Sequence, residues 1–497
     1  MADEVKPAPD CMKEAGTLGR HAVLGSYWSI AASVLNKALS VVSQVLLAWY
    51  LVPADFGLLA MAASASSIAS LVSGMNLKTI LIQETDRFGE NVGHVFWLSL
   101  LMNLCSGAGV AVLAPLASMA FGEPQVMALM LVVSAASPFM ALPTIYSAAL
   151  NRELRFRSIA LLQGAEGLIK NVLAVLLAMS GFGAYALVLP LLLGAALSAG
   201  LHRWVVGKLP VGRPRPKEWP RLLSKALWLM LNAFLTSMLV YGANLVIGLL
   251  HDKTVTGLFF WGFSLASQAV FLLATNLQGV FFPILAKLTG DESRQEKAFD
   301  NAVQVLTLAV VPVCVVQALL ARPIMEMVFA PQWWAAIAVV QWLSLGMMTQ
   351  PLNMLSVALL MARGEFRLLA KCTAVSFVVT MAGATLGAAL GKQDVIAIGI
   401  SLASFIANCV PAFPAVRSNG RAVAVLLRLV MIPILMALPA LIGGFLMLRS
   451  LRAVNQIWQA GIVGLIAVIL YVPLTAVCFP QALVSIKRVL AGNVSRV

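Results

Sequence analysis

The sequence predicts an all-α integral membrane protein of about fourteen transmembrane helices, arranged as two parallel six-helix lobes (spans 1–6 and 7–12) followed by two extra C-terminal helices. Three observations predict it: the composition, the placement of the basic residues and an internal repeat. Of the 497 residues 61% are hydrophobic and only 11% charged, with a mean hydropathy of +0.92. A soluble domain carries about 25% charged residues. This chain therefore holds more apolar surface than one core can hide, and lipid must be its solvent. Apolar runs of roughly 20 residues cross a bilayer as helices, and the sequence divides into such runs rather than into the ten-residue alternation of a membrane barrel.

In chain order the spans fall at about 24–51, 56–82, 92–118, 125–150, 158–180, 182–206, 222–250, 255–287, 298–320, 334–361, 366–391, 394–416, 424–448 and 456–480. A mixed-charge polar tail, 1–23, precedes them and lacks the short apolar core and cleavage site of a signal peptide. Spans 1 and 2 are parted by Leu51-Val52-Pro53-Ala54-Asp55-Phe56-Gly57, where Pro53 and Asp55 favour a turn and Gly57 permits a tight one. The stretch NRELRFR, 151–157, parts spans 4 and 5. Spans 1–6 form an N-lobe, 24–206, and spans 7–12 a C-lobe, 222–416. The basic linker between them, 207–221, carries prolines that favour an extended chain. Spans 13 and 14 occupy 417–480, and a second polar tail, 481–497, follows.

The basic residues test this division. Of 34 Lys and Arg, 27 fall in the two tails and the even-numbered loops and five in the odd-numbered loops; Lys37 and Lys170 lie inside spans. By the positive-inside rule both termini belong in the cytoplasm. The net charge of +14 is thus an orientation signal, and no nucleic-acid partner is needed to explain it. The six cysteines have no ligand-like spacing, and most lie in apolar runs as small hydrophobes. No motif for a metal or a cofactor is present.

The repeat has an offset of 200 residues: Trp28 matches Trp228, Gly57-Leu58 matches Gly257-Leu258, and Ser64, Ser67 and Asn76 match Ser264, Ser267 and Asn276. The offset drifts to 208 at Pro115/Pro323 and Pro143/Pro351, and to 210 at Phe156-Arg157/Phe366-Arg367, as loop insertions would make it. Six spans are an even number, so both copies start from the same side. Such parallel repeats rock as two lobes about a site near the membrane midplane.

Several polar groups stand inside the spans. Span 1 carries Ser26, Ser29, Ser33, Asn36, Lys37, Ser40, Ser43 and Gln44 at intervals that share one helical face, and span 7 carries Asn232 and Asn244. A polar stripe in lipid faces a cavity or packs on another helix. A lysine near the centre of a span costs about 2.5–3.5 kcal/mol, so Lys37 calls for water, a counter-ion or a ligand. Span 5 carries Glu166 and Lys170, four apart with the acid first, the favourable order for a pair. Counted from the cytoplasmic ends, Lys37 and Lys170 both lie roughly 18–20 Å deep. Together with Glu166 they suggest an anion site with an internal counter-ion; the alternative is a structural salt bridge. Arg152, Arg155 and Arg157 stand at the cytoplasmic mouth, as phosphate attractors or as topology determinants. An Asp-Arg-x-Gly stretch at 86–89 resembles a major-facilitator loop motif, but Glu90 and Asn91 follow it and the loop after span 8 holds no copy.

The stretches LVPADFG (51–57), Leu81-Ile82-Gln83, RELRFR (152–157) and GFGAYAL (181–187) together resemble the polysaccharide transporters of the multidrug/oligosaccharidyl-lipid/polysaccharide exporter superfamily, the Wzx-type flippases. The resemblance spans most of residues 20–420. It implies a bacterial inner-membrane flippase for polyprenyl-pyrophosphate-linked oligosaccharide repeats, serving exopolysaccharide (succinoglycan among them) or O-antigen assembly beside polymerase and export machinery. On that reading Lys37 and Lys170 bind the pyrophosphate, Asn36, Gln44 and Asn244 bind sugar, and Glu166 couples transport to an ion. The lipid tail stays in the membrane, beside spans 13–14 if those resemble the last two helices of lipid II flippases. A drug/cation antiporter of the same superfamily would want more carboxylates than Glu166. A glycosyltransferase or polymerase would want larger odd loops and clustered histidines, whereas His21, His94, His202 and His251 are scattered. A non-transporting partner of a synthase complex would find its cavity charges dispensable.

Overall fold

The computed structural model describes residues 33–69, 77, 88–153, 155–207, 214, 216–288, 290–391, 393–416, 427–450 and 456–478. The tails 1–23 and 481–497, the Leu81–Gln83 stretch and residues 208–213 and 215 of the 207–221 linker lie outside the described residues. The described chain is all-helical: α1 (33–50), α2 (Pro53–Ile68), α3 (Phe88–Phe121), α4 (Pro124–Ala136), α5 (Ala141–Arg152), α6 (Phe156–Met179), α7 (Tyr185–Val206), α8 (Trp219–Leu250), α9 (Lys253–Lys287), α10 (Glu292–Val328), α11 (Ile337–Gly346), α12 (Gln350–Ala362), α13 (Phe366–Ala389), α14 (Gln393–Cys409), α15 (Ala412–Val416), α16 (Ile432–Ser450) and α17 (Gln456–Cys478). Among the described residues eleven segments are long and apolar enough to cross a membrane, and they coincide with expected spans 3–13. Helices α1, α2 and α17 occupy the places of spans 1, 2 and 14. The chain is a multi-pass membrane protein; in lipid, helices satisfy every backbone polar group internally.

The repeat is visible in how the spans bend. Span 4 is interrupted by a 3-10 turn at Ser137–Met140, and span 10 by one at Met347–Thr349, 210 residues later. Span 9 is longer than expected. Helix α10 runs 37 residues, about 55 Å at the α-helical rise, so its polar first turns reach beyond a bilayer core.

The break after span 1 corrects one expectation. Helix α2 begins at Pro53, and α9 begins at Lys253, the same 200-residue offset. Pro53 occupies the first helical turn, where its missing N–H costs nothing, and the Asp55 carboxylate accepts the Val52 N–H at 3.1 Å. Asp252 caps α9 in the opposite sense, from the position before the helix, accepting the first-turn Val255 N–H at 3.0 Å. Gly57 is not a turn residue at all: it lies inside α2, and its bare Cα faces α9. A Cβ on Gly57 would fall on the Lys253 carbonyl oxygen, and a Cβ on Gly257 would fall on the Pro53 carbonyl oxygen. The two repeat-matched glycines thus let two helix backbones touch, each against the residue that opens the other helix.

The described residues divide into two compact units, one within 1–47, 72–111 and 131–227, the other within 48–71, 112–130 and 228–497. In the second unit α10 is the central post. Val303, Leu306, Val310, Val311, Cys314 and Leu319 are buried with Leu352, Leu355 and Leu359 of α12 and with Met436, Ala437 and Ala440 of α16. The two extra helices are anchored to this post: Gly444 of α16 lies against Leu319, and the Tyr471 hydroxyl of α17 donates to the Leu308 carbonyl at 3.4 Å.

The α2–α9 crossing is roofed by an aromatic group. The Phe56 and Trp333 rings meet edge-on at 5.4 Å, and Trp261 lies 4.4 Å from Trp333 and 4.8 Å from Phe329. The last carbonyls of a helix lack intrahelical partners, and here indoles supply them. Trp333 Nε1 donates to the Ala48 carbonyl at the end of α1 at 2.9 Å, and Trp49 Nε1 donates to Val328, the last residue of α10, at 3.0 Å. At the rim Lys253 pairs with Glu123, from the turn between α3 and α4, at 3.0 Å; this half-exposed pair is worth ~0–1 kcal/mol. Trp333 is fully buried, so Trp333→Phe leaves the Ala48 carbonyl unmet at an expected cost of about 1–3 kcal/mol. Thermal unfolding of the detergent-solubilised protein reads this, and an unchanged Tm would show that the carbonyl finds another donor.

Candidate functional site

The candidate site residues of span 1 and span 5 come together in the first unit, around the α6–α7 hairpin. The turn between these helices contains Gly181 and Gly183 at φ +81° and +53°, values that favour glycine. It reverses the chain within five residues. A reversal centred near residue 182 puts Glu166 of α6 opposite residue 198 of α7, and the structure has that register. The Ser198 hydroxyl donates to Glu166 Oε1 at 2.5 Å, and His202 Nδ1 stands 3.2 Å from the same oxygen. Ser198 and His202 are buried, while the Glu166 side chain keeps 30% of its surface.

The alternative, a structural salt bridge from a lysine, is not what the described residues form at Glu166. Lys170, one turn further along α6, does not reach it, because the carboxylate is turned towards α7. Among the described residues neither Lys37 nor Lys170 has an ion-pair or hydrogen-bond partner. Lys37 is half-buried and Lys170 is exposed on α6.

Helix α1 docks on α6 through Asn36. Its amide Nδ2 donates to the Gln163 carbonyl at 3.2 Å, and its Oδ1 presses on Gly167, where a Cβ would collide with it. The sequence motif at 36–37 therefore divides its labour. Asn36 fastens α1 to the helix that carries Glu166 and Lys170, and Lys37, beside it, has no partner among the described residues.

The remaining candidates lie apart from this group. Gln44, on the last turns of α1, is buried and engaged. Asn244 belongs to the second unit and is 1% exposed, with its Oδ1 unmatched by any donor among the described residues; in this conformation no sugar reaches it. Arg152, Arg155 and Arg157 are exposed around the α5–α6 turn, where Arg155 makes a 3.5 Å ion pair with Glu153. Ser198 and His202 are functional candidates that the sequence pattern did not single out. The available signal was the hairpin register, since neither stands at helical spacing from Glu166 on its own helix. Among the described residues no group of three or more His, Cys, Asp or Glu is placed to hold a metal ion.

The sequence model of a family described as "Polysaccharide biosynthesis protein" matches residues 46–338, more than half of the chain. The chain is 26% identical over 332 residues to the succinoglycan biosynthesis transport protein ExoT of Rhizobium meliloti (strain 1021) and 21% identical over 333 residues to the lipopolysaccharide biosynthesis protein WzxC of Escherichia coli (strain K12). Each match covers 65% of this chain and 66% of the relative, just under two thirds of its length. Among solved structures, the lipid II flippase MurJ in an inward closed conformation superposes with a TM-score of 0.69, covering 93% of this chain and 100% of that one at 15% identity. That likeness is one of fold.

Proposed function

Because the chain belongs to the polysaccharide biosynthesis protein family, we propose that it is a flippase moving polyprenyl-pyrophosphate-linked oligosaccharide repeat units across the bacterial inner membrane, with both termini in the cytoplasm. One observation carries the reading. Two lysines stand on adjacent helices of a membrane-spanning bundle, and the carboxylate between them in sequence is taken up by Ser198 and His202. Cations left without a counter-ion in such surroundings are costly, and an anionic ligand repays that cost. A pyrophosphate head group fits, since lysine is a compact point charge for phosphate oxygens. Arg152, Arg155 and Arg157 would attract the same head group from the cytoplasmic side, the lipid tail would remain in the membrane, and rocking of the two repeats would carry the sugar across. The relatives' names point to polysaccharide assembly, so a polymerase and export machinery would take the unit onward.

The test is complementation of a flippase-deficient bacterium, scored as surface polysaccharide. Rescue is the expected result. Failure of well-expressed protein in hosts making several different repeat units, combined with thermal protection by cationic drugs and none by lipid-linked sugars, would favour a drug/cation antiporter instead.

A further inference from the structure

Among the described residues the groups that reach Glu166 Oε1 are donors. The Ser198 hydroxyl gives its hydrogen to Oε1. His202 Nδ1 lies between two acceptors, Glu166 Oε1 at 3.2 Å and the Ser198 carbonyl at 3.0 Å, so it is the Nδ1–H tautomer that satisfies both. The Nδ1 also stands 3.4 Å from the Ser198 hydroxyl oxygen, whose lone pairs are free to accept because its hydrogen is committed to Glu166. The ring's other nitrogen, Nε2, has no partner among the described residues. It is where the ring gains a second proton, which turns neutral imidazole beside a carboxylate into an imidazolium–carboxylate pair. A further proton on the carboxylate would leave a neutral acid beside the imidazolium. Each step forms one N–H or O–H bond and breaks none in the protein. A sodium ion requires oxygen lone pairs directed at it; Oε1 is already turned to the Ser198 hydroxyl and the His202 ring, which leaves Oε2 alone to offer them.

We propose that Glu166 and His202, with Ser198 fixing the carboxylate, form the binding site for the proton that drives transport. This rests on the transport reading above and names its coupling ion. The elements packed against the pair carry few other titratable or charged groups. On α6 these are Arg157 and Lys170; on α7, Tyr185 and Arg203; on α5, Tyr146 and Arg152, with Glu153 just beyond it; and on α1, Lys37 and, at its far end, Tyr50. Among the described residues Lys37, Tyr146, Lys170, Tyr185 and Arg203 make no hydrogen bond or ion pair to Glu166 or His202. The pair is therefore the place on this hairpin where a carboxylate stands directly against a second proton-accepting side chain.

The experiment is infrared difference spectroscopy of the full-length protein in phosphatidylethanolamine–phosphatidylglycerol vesicles, with protons as the probe and sodium as the competitor. Acidification should produce a protonated-carboxyl band and imidazolium bands. Glu166→Gln should lose the carboxyl band, His202→Gln should lose an imidazolium contribution, and a large excess of sodium should leave the wild-type spectrum unchanged. A Glu166→Gln spectrum identical to wild type across the acid range, or wild-type bands removed by sodium, overturns the proposal. If Glu166→Gln does not accumulate, Ser198→Ala replaces it. Losing the hydroxyl donor should then shift the carboxylate stretch, and an unmoved stretch counts against the site. The readout needs no substrate, so failure here leaves the flippase reading standing, and failed complementation leaves the spectrum unaltered.

Discussion

Replacing Lys37 and Lys170 together by alanine abolishes surface polysaccharide in complemented cells while the amount of protein in the membrane stays the same or rises. The two halves of this expectation have different physical sources. A lysine inside a span costs about 2.5–3.5 kcal/mol on insertion, so each substitution eases folding into the bilayer, and neither side chain gives up an ion pair among the described residues. Lost export then cannot be ascribed to lost protein. A hydrogen bond to a charged group is worth roughly 1.5–3 kcal/mol, or about one to two powers of ten in affinity for each lysine. The double variant should fall well below either single one. Lys37→Arg with Lys170→Arg keeps both charges on longer stems and should retain part of the export. Full export by the double alanine variant at equal protein level would remove both lysines from the mechanism.

Gly57→Ala and Gly257→Ala each force α2 and α9 apart. Cores usually absorb an added methyl by moving a side chain, but here each new Cβ meets a main-chain carbonyl oxygen, and no rotamer relieves it. Overpacking of this kind costs typically about 1–3 kcal/mol and sometimes more. The double variant should cost less than the sum, because helices already separated by one Cβ have room for the second. Gly164→Ala is the control: it is helical with nothing within 4 Å of an added Cβ, and should gain about 0.5–1 kcal/mol from reduced backbone freedom. Thermal unfolding of the four purified proteins tests this, and the idea fails if the crossing variants melt like the control. The separated helices also disturb the indole caps above them, so export should fall with stability.

Much of the fold was legible because lipid leaves a chain few options. Apolar runs must be helices there, and hydropathy with basic-residue placement located spans 3–13, although span 9 runs further than expected at both ends. The break at 51–57 was half legible. Pro53 and Asp55 are local signals and do start a helix, but Gly57 answers to a backbone 196 residues away at Lys253, which no local pattern reports. The same limit governed the site. Helical spacing offered Glu166 a partner at Lys170, since only neighbours on one helix are visible that way; the real partners lie across a hairpin, 32 and 36 residues on. Asn36 shows a further limit. An amide in a span draws attention as a ligand for sugar, yet its hydrogens are equally suited to a neighbouring helix carbonyl, and Gln163 claims one.

The contact at Gly57 and Gly257 is reciprocal: residue for residue, each helix offers the other what it receives. Such self-complementary patches are what identical subunits present across a two-fold axis. The seam has the form of a homodimer interface written into a single polypeptide, as a fused gene duplication would leave it. Fusion also frees the two copies to diverge everywhere except along the seam that both must still share. The charged residues at Lys37, Glu166 and Lys170, which meet Ser237, Ser376 and Thr380 in the other copy, are where the two halves now differ most in charge.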